Sequence, residues 1–125
     1  MNTHERYMRL ALNLALKAKF KTSPNPVVGA LVVKDGRIIG RGYHKKAGLA
    51  HAEVIALEQA GSKAQNATLY VTLEPCTHFG KTAPCVHKII ASGVKEVIIG
   101  MIDPNPVNNG KGVEATIKIT NITTD

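Results

Sequence analysis

Residues 27–43 read Val27-Val28-Gly29-Ala30-Leu31-Val32-Val33-Lys34-Asp35-Gly36-Arg37-Ile38-Ile39-Gly40-Arg41-Gly42-Tyr43. The apolar, β-branched run over 27–33 has the composition of a buried strand. Lys34-Asp35-Gly36 is a turn, and residues 37–43 return as a second strand, so the pair is a hairpin. Helical periodicity stands on both sides of it. A hairpin embedded among helices and further strands points to an α/β protein whose sheet has an antiparallel edge and a parallel remainder.

On the N-terminal side, residues 3–19 form an amphipathic helix with Asn2 or Thr3 as its N-cap. Arg6, Arg9, Asn13 and Lys17 make a polar stripe; Tyr7, Leu10, Leu14 and Ala18, with Met8, Ala11, Leu12 and Ala15, make the apolar side. Arg6 and Arg9 before the apolar residues 10–16 faintly resemble a secretory leader, but the helical period favours a helix of the folded domain. No apolar run approaches the roughly 18 residues of a membrane span. A cytoplasmic protein with reduced thiols is therefore expected. Residues 22–26 hold Pro24 and Pro26 and read as loop.

On the C-terminal side come a basic loop over 44–50, a helix over 51–60 stopped by Gly61, and a strand over 68–73. A long irregular loop fills 74–84. A short helix over 85–91 ends near Gly93, and a strand over 94–101 has the wholly apolar centre Val97-Ile98-Ile99 expected of a sheet covered on both faces. Residues 103–106 and 110–112 are loop. Residues 117–122 alternate like a fifth strand. The stretch after Gly112 is about one helical turn short of a usual crossover, which leaves residues 113–125 between strand and irregular tail. The plan is a three-layer αβα sandwich with a mixed central sheet. Sites in such sheets gather at the carboxyl ends of parallel strands, and Leu73 and Met101 end two of them.

Length and composition narrow the class. At 125 residues one domain is expected. With 44% apolar and 20% charged residues the chain is too apolar to be disordered. Aromatics make up 4% and tryptophan is missing, which argues against a stacking platform for single-stranded nucleic acid. The net charge of +7 suits an anionic partner without deciding between a polymer and a small phosphate. Two cysteines are too few for a disulfide scaffold.

Those two cysteines carry chemistry instead. His51-Ala52-Glu53, Pro75-Cys76 and Cys85 supply one imidazole and two thiolates, the donor set of a catalytic zinc with its fourth position open to water. Glu53 is then the proton acceptor, in the arrangement of a zinc deaminase, His-x-Glu followed by Pro-Cys. Residues two apart on a regular helix do not face one another, so His51 must sit at the helix start. Cys85 follows Pro84, and the positive end of its helix stabilises a thiolate. Each piece alone has a plainer use: His-Ala-Glu is a common helical tripeptide, and buried cysteines often only pack. A purely structural zinc would need a fourth protein ligand, for which His78 is available. His4 and His87 fall on helix surfaces as solvated side chains and carry no assigned role. Lys45 and Lys46 read as solvated charge.

Eight residues separate the cysteines, Thr77-His78-Phe79-Gly80-Lys81-Thr82-Ala83-Pro84, where the general deaminase signature has two. An insert anchored by a ligand at each end is well placed to read substrate. This insert, with Ser23-Pro24-Asn25-Pro26-Val27-Val28-Gly29-Ala30, His51-Ala52-Glu53, Thr72-Leu73-Glu74-Pro75-Cys76, Asp103-Pro104-Asn105-Pro106 and Gly110-Lys111-Gly112, resembles the pyrimidine deaminase family of riboflavin biosynthesis. The segments occur in the family's order and span about residues 5–112. One departure is Ala83-Pro84 where the family usually has two prolines.

The resemblance implies a cytidine deaminase-like fold and zinc-dependent hydrolytic removal of the 2-amino group from 2,5-diamino-6-ribosylamino-4(3H)-pyrimidinone 5′-phosphate. It implies His51, Cys76 and Cys85 as zinc ligands and Glu53 as the catalytic proton shuttle. Asn25, Asp103 and Asn105 match positions that read the ring or ribose. His44, His78 and Lys81 match positions near the ribose phosphate, and Thr82 is counted with the substrate-binding residues. The family's usual reductase domain has no counterpart in these residues, so no nicotinamide cofactor is expected, and a separate reductase is a partner the resemblance leaves open. A homo-oligomer is expected by analogy alone, with no nucleic acid and no membrane partner. The alternatives are another deaminase of the same fold, acting on a nucleobase, a nucleotide or an adenosine in transfer RNA, and a zinc-stabilised binding module without turnover.

Overall fold

The computed structural model describes residues 3–18, 27–44, 51–73, 85–100 and 119–121. Helix α1 (Thr3–Ala15) runs into a short 3₁₀ turn (Leu16–Ala18). The hairpin follows as β1 (Gly29–Lys34) and β2 (Arg37–Tyr43). Asp35 and Gly36 both have positive φ, at 52° and 76°. That is the type I′ geometry whose twist matches the flanking strands. Helix α2 (Ala52–Ala60) is followed by a 3₁₀ turn (Gly61–Ala64) and β3 (Thr68–Val71). Helix α3 (Cys85–Ser92), β4 (Glu96–Ile99) and β5 (Ile119–Asn121) complete the order.

The strands lie in the order β2-β1-β3-β4-β5. β1 is antiparallel to both β2 and β3, while β3, β4 and β5 are parallel. The sheet is thus mixed, as expected. Within the tail, residues 119–121 are a strand paired with β4. This topology brings the starts of β1, α2 and α3 and the ends of β2, β3 and β4 to one edge of the sheet.

Strand alternation sorts the core into two layers. Ala30, Val32, Leu69, Val71, Val97 and Ile99 point to one face, against Ala52, Ala56, Leu57 and Ala60 of α2 and Ile89 of α3. Leu31, Val33, Tyr70 and Ile98 point to the other, against Tyr7, Met8 and Ala11 of α1. Both sheet faces are covered, which explains the apolar centre of β4. Each fully buried side chain such as Leu31 or Ile98 contributes about 1.5–3 kcal/mol. No helix among the described residues is long and apolar enough to cross a membrane.

Two details differ from the sequence expectation. Leu10 and Leu12, assigned to the apolar side of α1, are exposed, and burial falls on Tyr7, Met8, Ala11 and Ala15. Apolar residues occupy most positions of 10–16, so the period alone does not select a face. His4, expected to be solvated, is hydrogen-bonded through Nδ1 to the Tyr70 hydroxyl at 2.7 Å.

Helix α2 lies unusually close to the sheet. A Cβ on Gly40 would collide with the Ala56 carbonyl, and one on Gly42 with the Ala52 carbonyl. The Gly-x-Gly of β2 thus faces the Ala52, Ala56, Ala60 stripe, four residues apart on α2. A bulge between Val32 and Val33 opposes two residues of β2 to one of β1, so Ile39 and Gly40 share a face. Gln59 Oε1 accepts the outward N–H of Arg41 at 2.7 Å, capping the edge strand.

Candidate active site

The site edge is organised from β1 outwards. Gly29 opens that strand, packed so tightly on α1 that a Cβ would strike the Ala11 carbonyl. The Thr72 N–H donates to the Gly29 carbonyl at 3.0 Å, and the Gly29 N–H donates to the Thr72 hydroxyl at 3.1 Å. On the other flank, the His44 N–H donates to the Val28 carbonyl at 3.1 Å. Beyond β3, the Gly100 N–H donates to the Val71 carbonyl at 2.9 Å. The ends of four strands are therefore stitched into one row.

His51 is the N-cap of α2, in extended backbone (φ −73°, ψ 158°), and its carbonyl accepts the Ile55 N–H. This is the helix-start position that the spacing of His51 and Glu53 requires. Its ring makes no capping hydrogen bond, is solvent-exposed, and meets the ring of His44 edge to face with centroids 5.1 Å apart. Glu53 lies in the first turn of α2 and is buried, at 4% exposure. A carboxylate is rarely so buried without a partner or a task. Cys85 is the first residue of α3, and α3 packs against α2. Two of the three expected zinc ligands thus open two adjacent helices at the same sheet edge. An exposed imidazole at one helix start and a cysteine at the next suit a thiolate-imidazole metal such as zinc.

Of the expected substrate-binding residues, His44 is placed at this edge and is buried. Cys76, Asn25, His78, Lys81, Thr82, Asp103 and Asn105 lie outside the described residues. A cleft of about 200 Å³ lies at the opposite edge, beside the Asp35-Gly36 turn, and is lined by Tyr7, Lys34, Asn66, Tyr70 and Lys95. Among the described residues, none of the expected site residues lines it. Sequence reading missed the Thr72–Gly29 pair. The only sequence signal for it was a hydroxyl residue near the end of the apolar run over 68–73.

A mixed sheet with its helices starting at one edge, a histidine and a buried glutamate two apart, and a cysteine at the next helix start fit the His-x-Glu and cysteine arrangement of the deaminase class. Residues 1–101 match the family model described as the cytidine and deoxycytidylate deaminase zinc-binding region, and the chain belongs to that family. Within it, the similarity is to the deaminases of riboflavin biosynthesis. The chain is 66% identical over 108 residues to the riboflavin biosynthesis protein RibD of Aquifex aeolicus, covering 86% of this chain and 30% of that protein. It is 55% identical over 107 residues to the diaminohydroxyphosphoribosylamino-pyrimidine deaminase of Buchnera aphidicola subsp. Schizaphis graminum, covering 86% of this chain and 73% of that one. The crystal structure of the deaminase/reductase from Thermotoga maritima superposes with a TM-score of 0.86 at 50% identity, over 94% of this chain and 36% of that one. The chain thus spans about a third of the bifunctional relatives and most of the Buchnera deaminase.

Proposed function

We propose that the chain hydrolyses the 2-amino group from 2,5-diamino-6-ribosylamino-4(3H)-pyrimidinone 5′-phosphate, releasing ammonia and 5-amino-6-ribosylamino-uracil 5′-phosphate. The observation that carries this is the buried Glu53 carboxylate in the first turn of the helix that His51 caps. The insert between Cys76 and Cys85 and the 55% identity to the Buchnera deaminase support the choice of substrate.

His51, Cys76 and Cys85 would hold one zinc, which when bound supplies the Lewis acidity that makes a water nucleophilic at neutral pH. The chain's own residues do the rest. Glu53 accepts a proton from the attacking water as its oxygen bonds to C2. It passes that proton to the ring nitrogen, then takes the second proton from the new C2 hydroxyl and delivers it to the departing amine. The C2–N bond breaks, ammonia leaves, and a carbonyl remains at C2. Burial keeps the Glu53 carboxylate away from bulk water, so its proton goes to the substrate.

Asn25, Asp103 and Asn105 would read the aminopyrimidinone and ribose, whose amide-like edge needs both donors and acceptors. Lys81, His78, Thr82 and His44 would meet the ribose phosphate with cationic or neutral donors. The net charge of +7 favours the approach of such an anion. The name of the Thermotoga relative joins the deaminase to a reductase of 5-amino-6-(5-phosphoribosylamino)uracil. A reductase is accordingly the catalyst expected to consume the product.

The test is ammonia release from the ribotide by purified protein, before and after dialysis against a chelator. Turnover lost on dialysis and restored by zinc supports the reading. A zinc with four protein ligands and no turnover would replace it with the binding-module alternative.

A further inference from the structure

The Thr72–Gly29 pair is not an ordinary step of a sheet ladder. In an antiparallel hydrogen-bonded pair, each residue gives its N–H to the other's carbonyl. Thr72 gives its N–H to the Gly29 carbonyl at 3.0 Å, but Gly29 gives its N–H to the Thr72 side-chain hydroxyl at 3.1 Å. Thr72 is a bend residue just past the end of β3. Its main chain turns away from β1 there, and the hydroxyl takes the place of the carbonyl that leaves. The Thr72 carbonyl lies against Gly100 instead, only 3.0 Å from where a Cβ on that glycine would sit. Thr72 is 6% exposed, so the Gly29 N–H has no ready access to water as a substitute partner.

The pair stands at a junction of two site-bearing segments. Asn25 lies four residues before Gly29, and Cys76 lies four residues after Thr72. The same end of β1 also receives His44 through Val28. We propose that Thr72 is a positioning residue: its hydroxyl, clasped on the Gly29 N–H, fixes together the exit of β3 toward a metal-ligand segment and the entry of β1 from a substrate-reading segment. What those segments do rests on the function proposed above; the clasp itself does not.

A β-branched hydroxyl residue suits the position. Its methyl group occupies buried space while its oxygen accepts the amide. Valine keeps the shape and removes the acceptor, whereas serine keeps the acceptor and removes the methyl. The two substitutions therefore separate hydrogen bonding from packing.

The experiment compares the parent with Thr72→Val and Thr72→Ser by three readings: amide hydrogen exchange at Gly29, zinc affinity by chelator competition, and KM and kcat for the ribotide. In the parent, the Gly29 amide should exchange as slowly as those of Ala30 and Leu31 inside the strand. Thr72→Val should release that amide, weaken zinc about tenfold and raise KM, while Thr72→Ser stays within about twofold of the parent in all three. A Gly29 amide that exchanges freely in the parent would overturn the proposal. So would a Thr72→Val protein with parental zinc affinity and KM, or a Thr72→Ser protein as impaired as Thr72→Val. Should Thr72→Val not accumulate in folded form, Thr72→Ala is read in its place and judged by the same outcomes. If the parent does not turn over the ribotide, the function proposed above fails, and exchange and zinc affinity still decide the clasp.

Discussion

The buried ring of His44 meets the exposed ring of His51 edge to face, with their planes 73° apart. One residue follows β2 and the other caps α2, so the contact joins the end of that strand to the start of the helix beside the His51 imidazole. Removing the ring takes away one contact of the His51 imidazole. We expect His44→Ala to weaken zinc about tenfold, in the range seen for residues that orient a metal ligand, and His44→Phe to restore most of the affinity. Chelator competition measures both. Zinc affinity unchanged in His44→Ala would show that the ring contact orients nothing.

Glu53→Gln keeps the size and burial of the side chain but removes its ability to accept a proton. Turnover should fall by about 10²–10⁴-fold while one zinc per chain is retained. Metal analysis beside steady-state kinetics checks both halves. Full activity in this variant would rule out Glu53 as the proton shuttle.

Gly42 faces α2 with no room for a side chain, because a Cβ would also come within 2.9 Å of the Ala56 nitrogen and the Ile55 Cβ. Gly42→Ala must push α2 off the sheet, at a cost of about 1–3 kcal/mol. A drop of several degrees in Tm is expected. The same substitution at Gly36, where nothing lies within 4 Å of the added Cβ, should act only through its positive φ of 76°. A Gly42→Ala protein as stable as the parent would show that the helix does not approach as closely as described.

Burial pushes the Tyr70 hydroxyl up to about 12, helped by the charge of Glu96 and by Tyr7. The unfolded chain ionises this phenol near 10, so above that pH unfolding releases a proton that the native state still holds. The stabilisation is complete below pH 10 and is lost as pH rises toward 12. Denaturant titrations at pH 9 and 11 should therefore show a fall in stability that is smaller in Tyr70→Phe. An equal fall in both proteins would show that Tyr70 is not its source.

The hairpin was legible because Asp35-Gly36 and the runs beside it are local signals, and the structure returns it with the turn at those residues. The helix start at His51 was legible from chemistry, since histidine and glutamate two apart converge only where a helix opens. Sequence separation hid the rest. His4 and Tyr70 are 66 positions apart, and Gly29 and Thr72 are 43 apart. No periodicity links residues that meet only after β1 pairs with β3. Gly40 and Gly42 likewise meet Ala52, Ala56 and Ala60 only once α2 packs on the sheet. The brevity of the chain after Gly112 left the tail between strand and irregular structure, yet three residues of it suffice to extend the parallel part of the sheet.

Ammonia release from the diaminopyrimidinone ribotide, measured beside cytidine, guanine and a transfer-RNA stem-loop under the same conditions, tests the central claim most directly. The expected result is zinc-dependent release from the ribotide, with little or none from the other three. Release from cytidine, guanine or the stem-loop at a higher kcat/KM than from the ribotide would contradict it.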